Sequence, residues 1–205
     1  MGARTRTALA GVAACGVALA GITAAGAATI DGTSRADRLT GTVHDDLVHG
    51  RAGGDLVRGR SGEDHVFGGR GDDVVYLGPG GVDFERSNRV DQAHGGPGDD
   101  RLAGGSGPDE LWGGPGADHA YGGRGNDVVK GGRGADRLWG GAGLDDVRPG
   151  PGADVLRLGP GSDYVALGDD GRVDRVYCGR GDDYIDRSSV DPLDLYVDCE
   201  TVAGP

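Results

Sequence analysis

The sequence predicts an all-β solenoid in which two parallel sheets face each other across a thin core. Three observations indicate this fold class. Glycine accounts for 45 of the 205 residues, too many for an ordinary globular core. A nine-residue period runs without a gap over residues 32–166, which is fifteen units. One aspartate and one apolar residue recur at fixed places in that period, which a disordered low-complexity chain has no reason to maintain.

The apolar residue of each unit marks a short strand. Numbering the unit from its first glycine, position 8 is apolar in all fifteen units, while positions 7 and 9 are mixed. Such alternation turns one side chain inward and its two neighbours outward. The predicted core residues are Leu39, Val48, Val57, Val66, Val75, Phe84, Ala93, Leu102, Leu111, Ala120, Val129, Leu138, Val147, Leu156 and Val165.

Positions 1–6 of each unit form a turn, where glycine permits a positive φ and close backbone approach. Two turns and two strands make one eighteen-residue coil. A single coil cannot bury its own apolar side chains, so coils must stack about 4.7–4.9 Å apart.

Position 6 is aspartate in fourteen of the fifteen units, the exception being Val82. Stacking every eighteen residues predicts one edge with Asp37, Asp55, Asp73, Asp91, Asp109, Asp127, Asp145 and Asp163. It predicts a second edge with Asp46, Asp64, Asp100, Asp118, Asp136 and Asp154, interrupted by Val82. Stacked carboxylates repel one another, so each edge needs a cation between its coils.

Calcium is the cation that fits, because it accepts six to eight oxygens from carboxylates and backbone carbonyls in a flexible geometry. Zinc prefers cysteine and histidine, and magnesium demands a stricter octahedron. The five histidines form no ligand spacing and are interpreted as exposed strand or turn residues.

The units GGPGDDRLA, GGSGPDELW, GGPGADHAY, GGRGNDVVK, GGRGADRLW and GGAGLDDVR, residues 95–148, resemble the haemolysin-type (RTX) calcium-binding nonapeptide. That resemblance implies a parallel β-roll with several calcium ions between successive turns. It also implies ligand roles for the turn carbonyls and for the position-6 aspartates. The candidate metal ligands are Asp46, Asp55, Asp64, Asp73, Asp91, Asp100, Asp109, Asp118, Asp127, Asp136, Asp145, Asp154 and Asp163.

The predicted roll comprises residues 28–168. The repeat changes character at one place inside it, residues 77–94, and again after it. Residues 77–94 keep the eighteen-residue length but lose much of the turn chemistry, so we expect Phe84 and Ala93 to stay inward and the stations beside Val82 to be weak or empty. Residues 169–205 read as degenerate repeats and an atypical cap. A Cys178–Cys199 disulfide would tie that cap to the last regular turn, a loop closure worth roughly 3 kcal/mol.

The N-terminus predicts export. Residues 1–27 carry Arg4 and Arg6, an apolar run of small residues and a small-x-small site, as in a secretory signal peptide. A single membrane anchor and lipid attachment at Cys15 stay open as alternatives. Removing residues 1–27 changes the net charge from −12 to −14, because 19 basic residues then face 33 acidic ones. Such a chain repels nucleic acid and attracts cations.

These features favour an extracellular, monomeric calcium-binding module that folds when calcium binds and serves a structural or interaction role. An enzyme is not expected, because the sequence contains neither HExxH nor GxSxG. A pore former would need an apolar segment that the mature chain lacks. Adhesion to a cell surface or glycan is the alternative, through exposed aromatic residues such as Tyr121 and Trp139, which are eighteen residues apart.

Overall fold

A computed structural model describes residues 26–79, 90–168, 170–186 and 192–199. In these ranges the chain forms eighteen strands that alternate between two nine-stranded parallel sheets. None of the described residues belongs to a helix long and apolar enough to span a membrane. The signal-peptide prediction and Cys15 fall almost wholly outside the described residues.

The odd-numbered strands form the first sheet, in chain order: β1 Thr29–Asp31, β3 Leu47–Ala52, β5 His65–Arg70, β7 Asp91–His94, β9 Asp109–Pro115, β11 Val128–Arg133, β13 Asp146–Arg148, β15 Tyr164–Ala166 and β17 Tyr184–Asp186. The even-numbered strands form the second sheet: β2 Arg38–Thr40, β4 Leu56–Arg58, β6 Val74–Pro79, β8 Arg101–Ser106, β10 His119–Arg124, β12 Arg137–Ala142, β14 Val155–Pro160, β16 Arg175–Arg180 and β18 Leu195–Val197. The predicted two-sheet parallel roll is confirmed.

The core is one side chain wide in most strands. In the regular part each strand pairs eighteen residues on, as Ala120 does with Leu138, so position-8 side chains stack along the roll and are buried. The sequence pattern missed a second set of core residues at position 1, where larger side chains replace glycine. These are Leu77, Leu158, Leu167 and Cys178, all buried.

The predicted phase through residues 77–94 is wrong. Val66 pairs with Ala93 and Val75 with Leu102, a separation of 27 residues in both sheets. The chain between β6 and β7 is therefore nine residues longer than the regular spacing requires. Val82 and Phe84 lie in this part, outside the described residues.

A physical reason for the skipped unit lies in the turn hydrogen bonds. The backbone N–H of Asp64 donates to Asp91 Oδ1 at 2.9 Å, and that of Asp73 to Asp100 Oδ1 at 2.7 Å. At the eighteen-residue spacing the neighbour of Asp64 would be Val82, which has no side-chain acceptor for the buried N–H group of Asp64. The 27-residue separation gives both N–H groups a carboxylate acceptor. The predicted weak station at Val82 lies outside the described residues.

Both ends of the roll extend beyond the predicted repeats. β1, with buried Ile30, precedes the first predicted unit. After Ala166 the separation becomes twenty residues, as in the pair Leu156 and Val176, and β18 adds a strand within the predicted cap. The predicted disulfide between Cys178 and Cys199 is present, with Cα atoms 5.0 Å apart.

Candidate metal sites

Two columns of buried aspartates follow the two turn edges of the roll. The second-sheet ladder precedes the even strands and contains Asp37, Asp55, Asp73, Asp100, Asp118, Asp136, Asp154, Asp174 and Asp194. The first-sheet ladder precedes the odd strands and contains Asp46, Asp64, Asp91, Asp109, Asp127, Asp145, Asp163 and Asp183.

This order corrects the predicted neighbours at the insertion. Asp91 stacks on Asp64 rather than on Asp73, and Asp100 stacks on Asp73 rather than on Asp64. Away from the insertion the predicted neighbours are confirmed, as for Asp118 between Asp100 and Asp136.

In most ladder aspartates, one carboxylate oxygen accepts a hydrogen bond from the previous coil. The N–H of Asp118 donates to Asp136 Oδ1 at 2.8 Å, and the N–H of Asp127 to Asp145 Oδ1 at 2.9 Å. These hydrogen bonds recur along both ladders. They satisfy backbone N–H groups that are buried at the start of the strands. The aspartate therefore joins consecutive coils by a direct hydrogen bond, without a cation.

The other oxygen is unpaired through most of the roll. Among the described residues, Oδ2 is buried and lacks a hydrogen-bond donor in twelve ladder aspartates: Asp55, Asp64, Asp73, Asp91, Asp100, Asp109, Asp118, Asp127, Asp136, Asp145, Asp154 and Asp163. Asp109 lacks a donor at Oδ1 as well. A buried anionic oxygen with no donor is costly, so each needs either a proton or a cation.

The pKa values of these carboxyl groups show the same cost. Burial raises the pKa of Asp109 to about 8, and repulsion from Asp127 and Asp91 adds to the rise. For the others burial is again the largest cause, opposed by the donated backbone N–H. The pKa is raised to about 7 for Asp64, Asp100, Asp127 and Asp154, to about 6 for Asp55, Asp73, Asp91, Asp118, Asp136 and Asp163, and upward for Asp145.

Glycine at position 1 leaves space beside the unpaired oxygen. A Cβ added to Gly113 would lie 2.6 Å from the carbonyl oxygen of Gly131 and would also overlap Asp118 Oδ2. Both atoms are oxygens, and they belong to consecutive coils. Because glycine has no side chain, a carboxylate oxygen and a carbonyl oxygen lie close together at the turn edge. Both are atoms of the kind that ligates metal ions.

Glycines at positions 2 and 4 serve the turn itself. Gly114 and Gly116 have φ values of 121° and 152°, which side chains rarely adopt, and a Cβ on Gly116 would overlap the carbonyl of Gly98 one coil away. The turns therefore stack backbone on backbone.

The first two turns of the roll are built differently. Position 2 is Thr33 or Thr42, and neither residue has the positive φ of the later glycines. Thr33 donates from its N–H and its Oγ1 to Asp37 Oδ2, at 2.6 and 2.8 Å. Thr42 donates its N–H to Asp46 Oδ2 in the same way. The carboxylates of Asp37 and Asp46 therefore accept hydrogen bonds from residues of their own turns.

Side chains alone do not form a complete metal site. No group of three or more His, Cys, Asp or Glu side chains converges among residues 26–79, 90–168, 170–186 and 192–199. A calcium ion here would need backbone carbonyls in addition to carboxylates. Calcium accepts such mixed oxygen sets, so the donor chemistry fits this ion and not zinc.

The comparison with protein families agrees with this chemistry. The family described as the RTX calcium-binding nonapeptide repeat (4 copies) matches residues 22–57, 49–81, 94–129, 121–156 and 150–172. The matched segments cover more than half of the chain, so the chain belongs to this family. They leave residues 82–93 unmatched, where the structure inserts its extra unit. No curated protein compared with the chain matches it.

Some features of the outer faces were predicted and others were missed. Tyr121 and Trp139 stack with ring centroids 4.1 Å apart, as expected from their spacing. The sequence pattern did not reveal that histidines join a second stack on the opposite sheet. There, rings follow one another in the order His49, Phe67, His94 and Trp112, with centroids 4.2–5.3 Å apart.

Proposed function

We propose that this calcium-binding module is extracellular and that its roll folds when calcium binds to the two turn edges. The observation that carries the proposal is the set of twelve buried Oδ2 atoms without a donor. In this proposal the ligands are twelve of the thirteen aspartates that the sequence singles out, from Asp55 to Asp163. Asp46 is left out, because Thr42 already donates to its Oδ2.

Each ligand set would combine two consecutive turns. Asp118 Oδ2 lies beside Gly113 and near the carbonyl of Gly131, so a carboxylate and a carbonyl from adjacent coils face the same space. Carbonyls of the glycine-rich turns would complete the six to eight oxygens that calcium accepts. Bound calcium supplies positive charge that replaces the missing hydrogen-bond donors.

Without calcium the folded roll must hold its ladders either charged and unpaired or protonated. At neutral pH both choices cost free energy, because the carboxyl groups have pKa values raised to about 6–8 while the unfolded chain ionises freely. The thin core offers little apolar burial to offset this cost. Binding to the folded state alone would therefore couple calcium to folding.

Export gives this coupling a purpose. Calcium sites of extracellular modules have Kd values of about 10⁻⁴–10⁻³ M, so they are empty in the cytosol and filled outside. A chain exported by an N-terminal signal would cross the membrane unfolded and fold on arrival.

The direct test is far-UV circular dichroism of the chain without residues 1–27, in EGTA and in millimolar calcium. We expect a disordered spectrum in EGTA and a β spectrum in calcium. Magnesium at the same concentration serves as the control ion and should leave the spectrum disordered. Superimposable spectra in EGTA and calcium would refute the proposal.

We propose no catalytic role, since every buried carboxylate of the ladders has a place in coil stacking or cation binding. A second candidate function is adhesion to a surface carbohydrate. The observation that favours it is the stack of exposed Tyr121 on half-buried Trp139, because flat aromatic pairs of this kind can pack against sugar rings.

A further inference from the structure

The two outer faces of the roll carry very different charge. In each strand, two side chains flank the buried core residue and point outward. On the first sheet these positions carry acids and bases together: Asp31, Glu110, Asp146, Asp186, Lys130 and Arg148. On the second sheet they carry no acid in any described strand and six arginines: Arg38, Arg58, Arg101, Arg137, Arg157 and Arg175. A chain of net charge −12 thus has one strongly cationic face.

Strand register arranges these arginines in columns. Arg101, His119, Arg137, Val155 and Arg175 follow one another in a single column across β8 to β16. The arginines of this column stand on alternate strands, about 9–10 Å apart.

The neighbouring column contains four aromatic rings and two of the six arginines, Arg58 and Arg157. Tyr121 stacks on Trp139, and the next residue in that column is Arg157, whose guanidinium lies 4.8 Å from the ring centroid of Tyr177. Arg58 lies 6.0 Å from the ring of Tyr76 in the same way. The face therefore carries flat rings beside guanidinium groups.

The arginines of the second sheet remain available to a ligand. All six are exposed, and no ion pair within the described ranges involves any of them. Ion pairs occur instead on the first sheet, as between Arg148 and Asp146 at 2.7 Å. Six cations on one face, with no acidic partner among the residues that the structure describes, repel one another, which favours an anionic ligand.

We infer that the outer face of the second sheet binds a linear polysaccharide whose sugars carry carboxylate groups. Guanidinium groups bind carboxylates through paired hydrogen bonds, and the ring column offers surfaces for the sugars. This inference names the ligand class of the adhesive function proposed above and therefore rests on that second candidate.

Charge density favours a polysaccharide over a nucleic acid. Six arginines over nine strands give about one cation per 6 Å along a face roughly 38 Å long. Duplex DNA carries one negative charge per about 1.7 Å, so most of its charge would face no cation and would approach the acidic turn edges. A polymer with one charge per sugar or per two sugars matches the arginine spacing more closely.

The test measures binding of fluorescent oligogalacturonate, in the sodium form, to the calcium-loaded protein. Short oligomers keep the ligand from gelling with calcium. The same oligomer with its carboxylates methyl-esterified is the control ligand, and duplex DNA of similar length is the competitor class. Circular dichroism of every sample reports whether the roll is folded, which separates failure of this inference from failure of calcium-dependent folding.

The double variant R101Q/R137Q has a matched control in K130Q/R148Q, which changes the net charge equally on the opposite face. We expect the first to weaken oligogalacturonate binding at least about tenfold, because charge-assisted hydrogen bonds are lost. The control should weaken binding less than about twofold, because its charges face away from the ligand. W139A should also weaken binding while leaving its salt dependence unchanged.

Three results would overturn the inference in a folded sample. Equal weakening by the two double variants would mean that net charge alone attracts the polymer. Equal binding of the esterified oligomer would remove the role of carboxylates. Tighter binding of duplex DNA at the same salt concentration would assign the face to nucleic acid. The comparisons with the esterified oligomer and with duplex DNA use the unaltered protein. They therefore test the inference even if a variant does not fold.

Discussion

The first two turns of the roll and the turns of residues 95–145 solve the same problem in opposite ways. In the first two, threonine turns its backbone N–H toward the aspartate of its own turn, as Thr33 does toward Asp37. In the later turns, a position-2 glycine with positive φ directs its N–H to the next coil, as Gly96 does toward the carbonyl of Gly113 at 2.9 Å. The aspartate then keeps one oxygen without a donor.

The roll therefore divides into two parts. In the self-paired end, the carboxylates accept hydrogen bonds from their own turns. In the cation-requiring body, the Oδ2 atoms have no donor. Position 2 decides between them, because it determines whether the turn N–H serves the carboxylate or the neighbouring coil. Arg51 and Arg60, the next position-2 residues, already adopt φ values of 82° and 92° without being glycine. The cation-requiring backbone geometry therefore begins at the third predicted turn, before the glycine pattern does.

The largest effect is expected from a change of pH in the absence of calcium, because protons can neutralise the ladder carboxylates in place of the ion. In EGTA, we expect the roll to be disordered at pH 8 and to gain β structure as the pH falls toward 5. The folded-state pKa values of the body aspartates are raised to about 6–8, so protonation stabilises the fold at low pH and that stability is lost as the pH rises through this range. Circular dichroism at a series of pH values measures this. A chain that stays disordered down to pH 5 would show that the charge of the ladders is not what opposes folding.

The next effect compares one aspartate from each region. Asp118→Asn, in the body, should remove at least one calcium ion from the calorimetric count, because two consecutive turns share its Oδ2 environment. Asp46→Asn, in the self-paired end, should leave the count unchanged while lowering the free energy of unfolding by about 1–3 kcal/mol. Equal loss of ions in the two variants would abolish the distinction between the regions.

Position-1 glycine gives a smaller effect with an internal control. Gly113→Ala places a methyl group against Asp118 Oδ2 and the Gly131 carbonyl, which should cost about 1–3 kcal/mol in calcium-saturated protein. Gly168→Ala meets nothing within 4 Å, and its φ lies outside the positive range that strains a side chain, so it should be close to neutral. Urea unfolding of both variants measures the difference, and equal stability would mean that the turn edge is not crowded.

The smallest effect tests the threonine pairing. Thr42→Val removes the hydroxyl that accepts from the N–H of His44 and donates to Asp46 Oδ1, but it keeps the backbone bond to Oδ2. We expect a loss of about 1 kcal/mol with no change in calcium affinity. A large change in calcium affinity would indicate that this turn also belongs to the cation-requiring body.

Much of this arrangement could be predicted because the period of eighteen residues dictates vertical neighbours. Asp118 and Asp136, or Ala120 and Leu138, share a column for that reason alone. The insertion could not be predicted, because an extra unit of nine residues preserves the phase and looks like one more repeat. The buried N–H group of Asp64 distinguishes the two arrangements, because its neighbour at eighteen-residue spacing, Val82, has no carboxylate to accept from it.

Other features depended on contacts that the period does not encode. Leu158 and Cys178 occupy the glycine position of the repeat, and only the folded coil shows that this position faces the core. The pairing of Asp37 with Thr33 required the backbone geometry of the turn. The cationic face of the second sheet was hidden because successive arginines lie one or more coils apart in the sequence, with first-sheet strands and acidic turns between them.

The central claim is that calcium orders the body of the roll by pairing the free carboxylate oxygens. Hydrogen exchange measured by mass spectrometry, with millimolar calcium and with EGTA at pH 7.5, tests it residue range by residue range. We predict strong protection of residues 95–148 in calcium and exchange typical of an unfolded chain in EGTA, with the smallest change at residues 37–49. Equal protection of residues 95–148 in the two buffers would contradict the account.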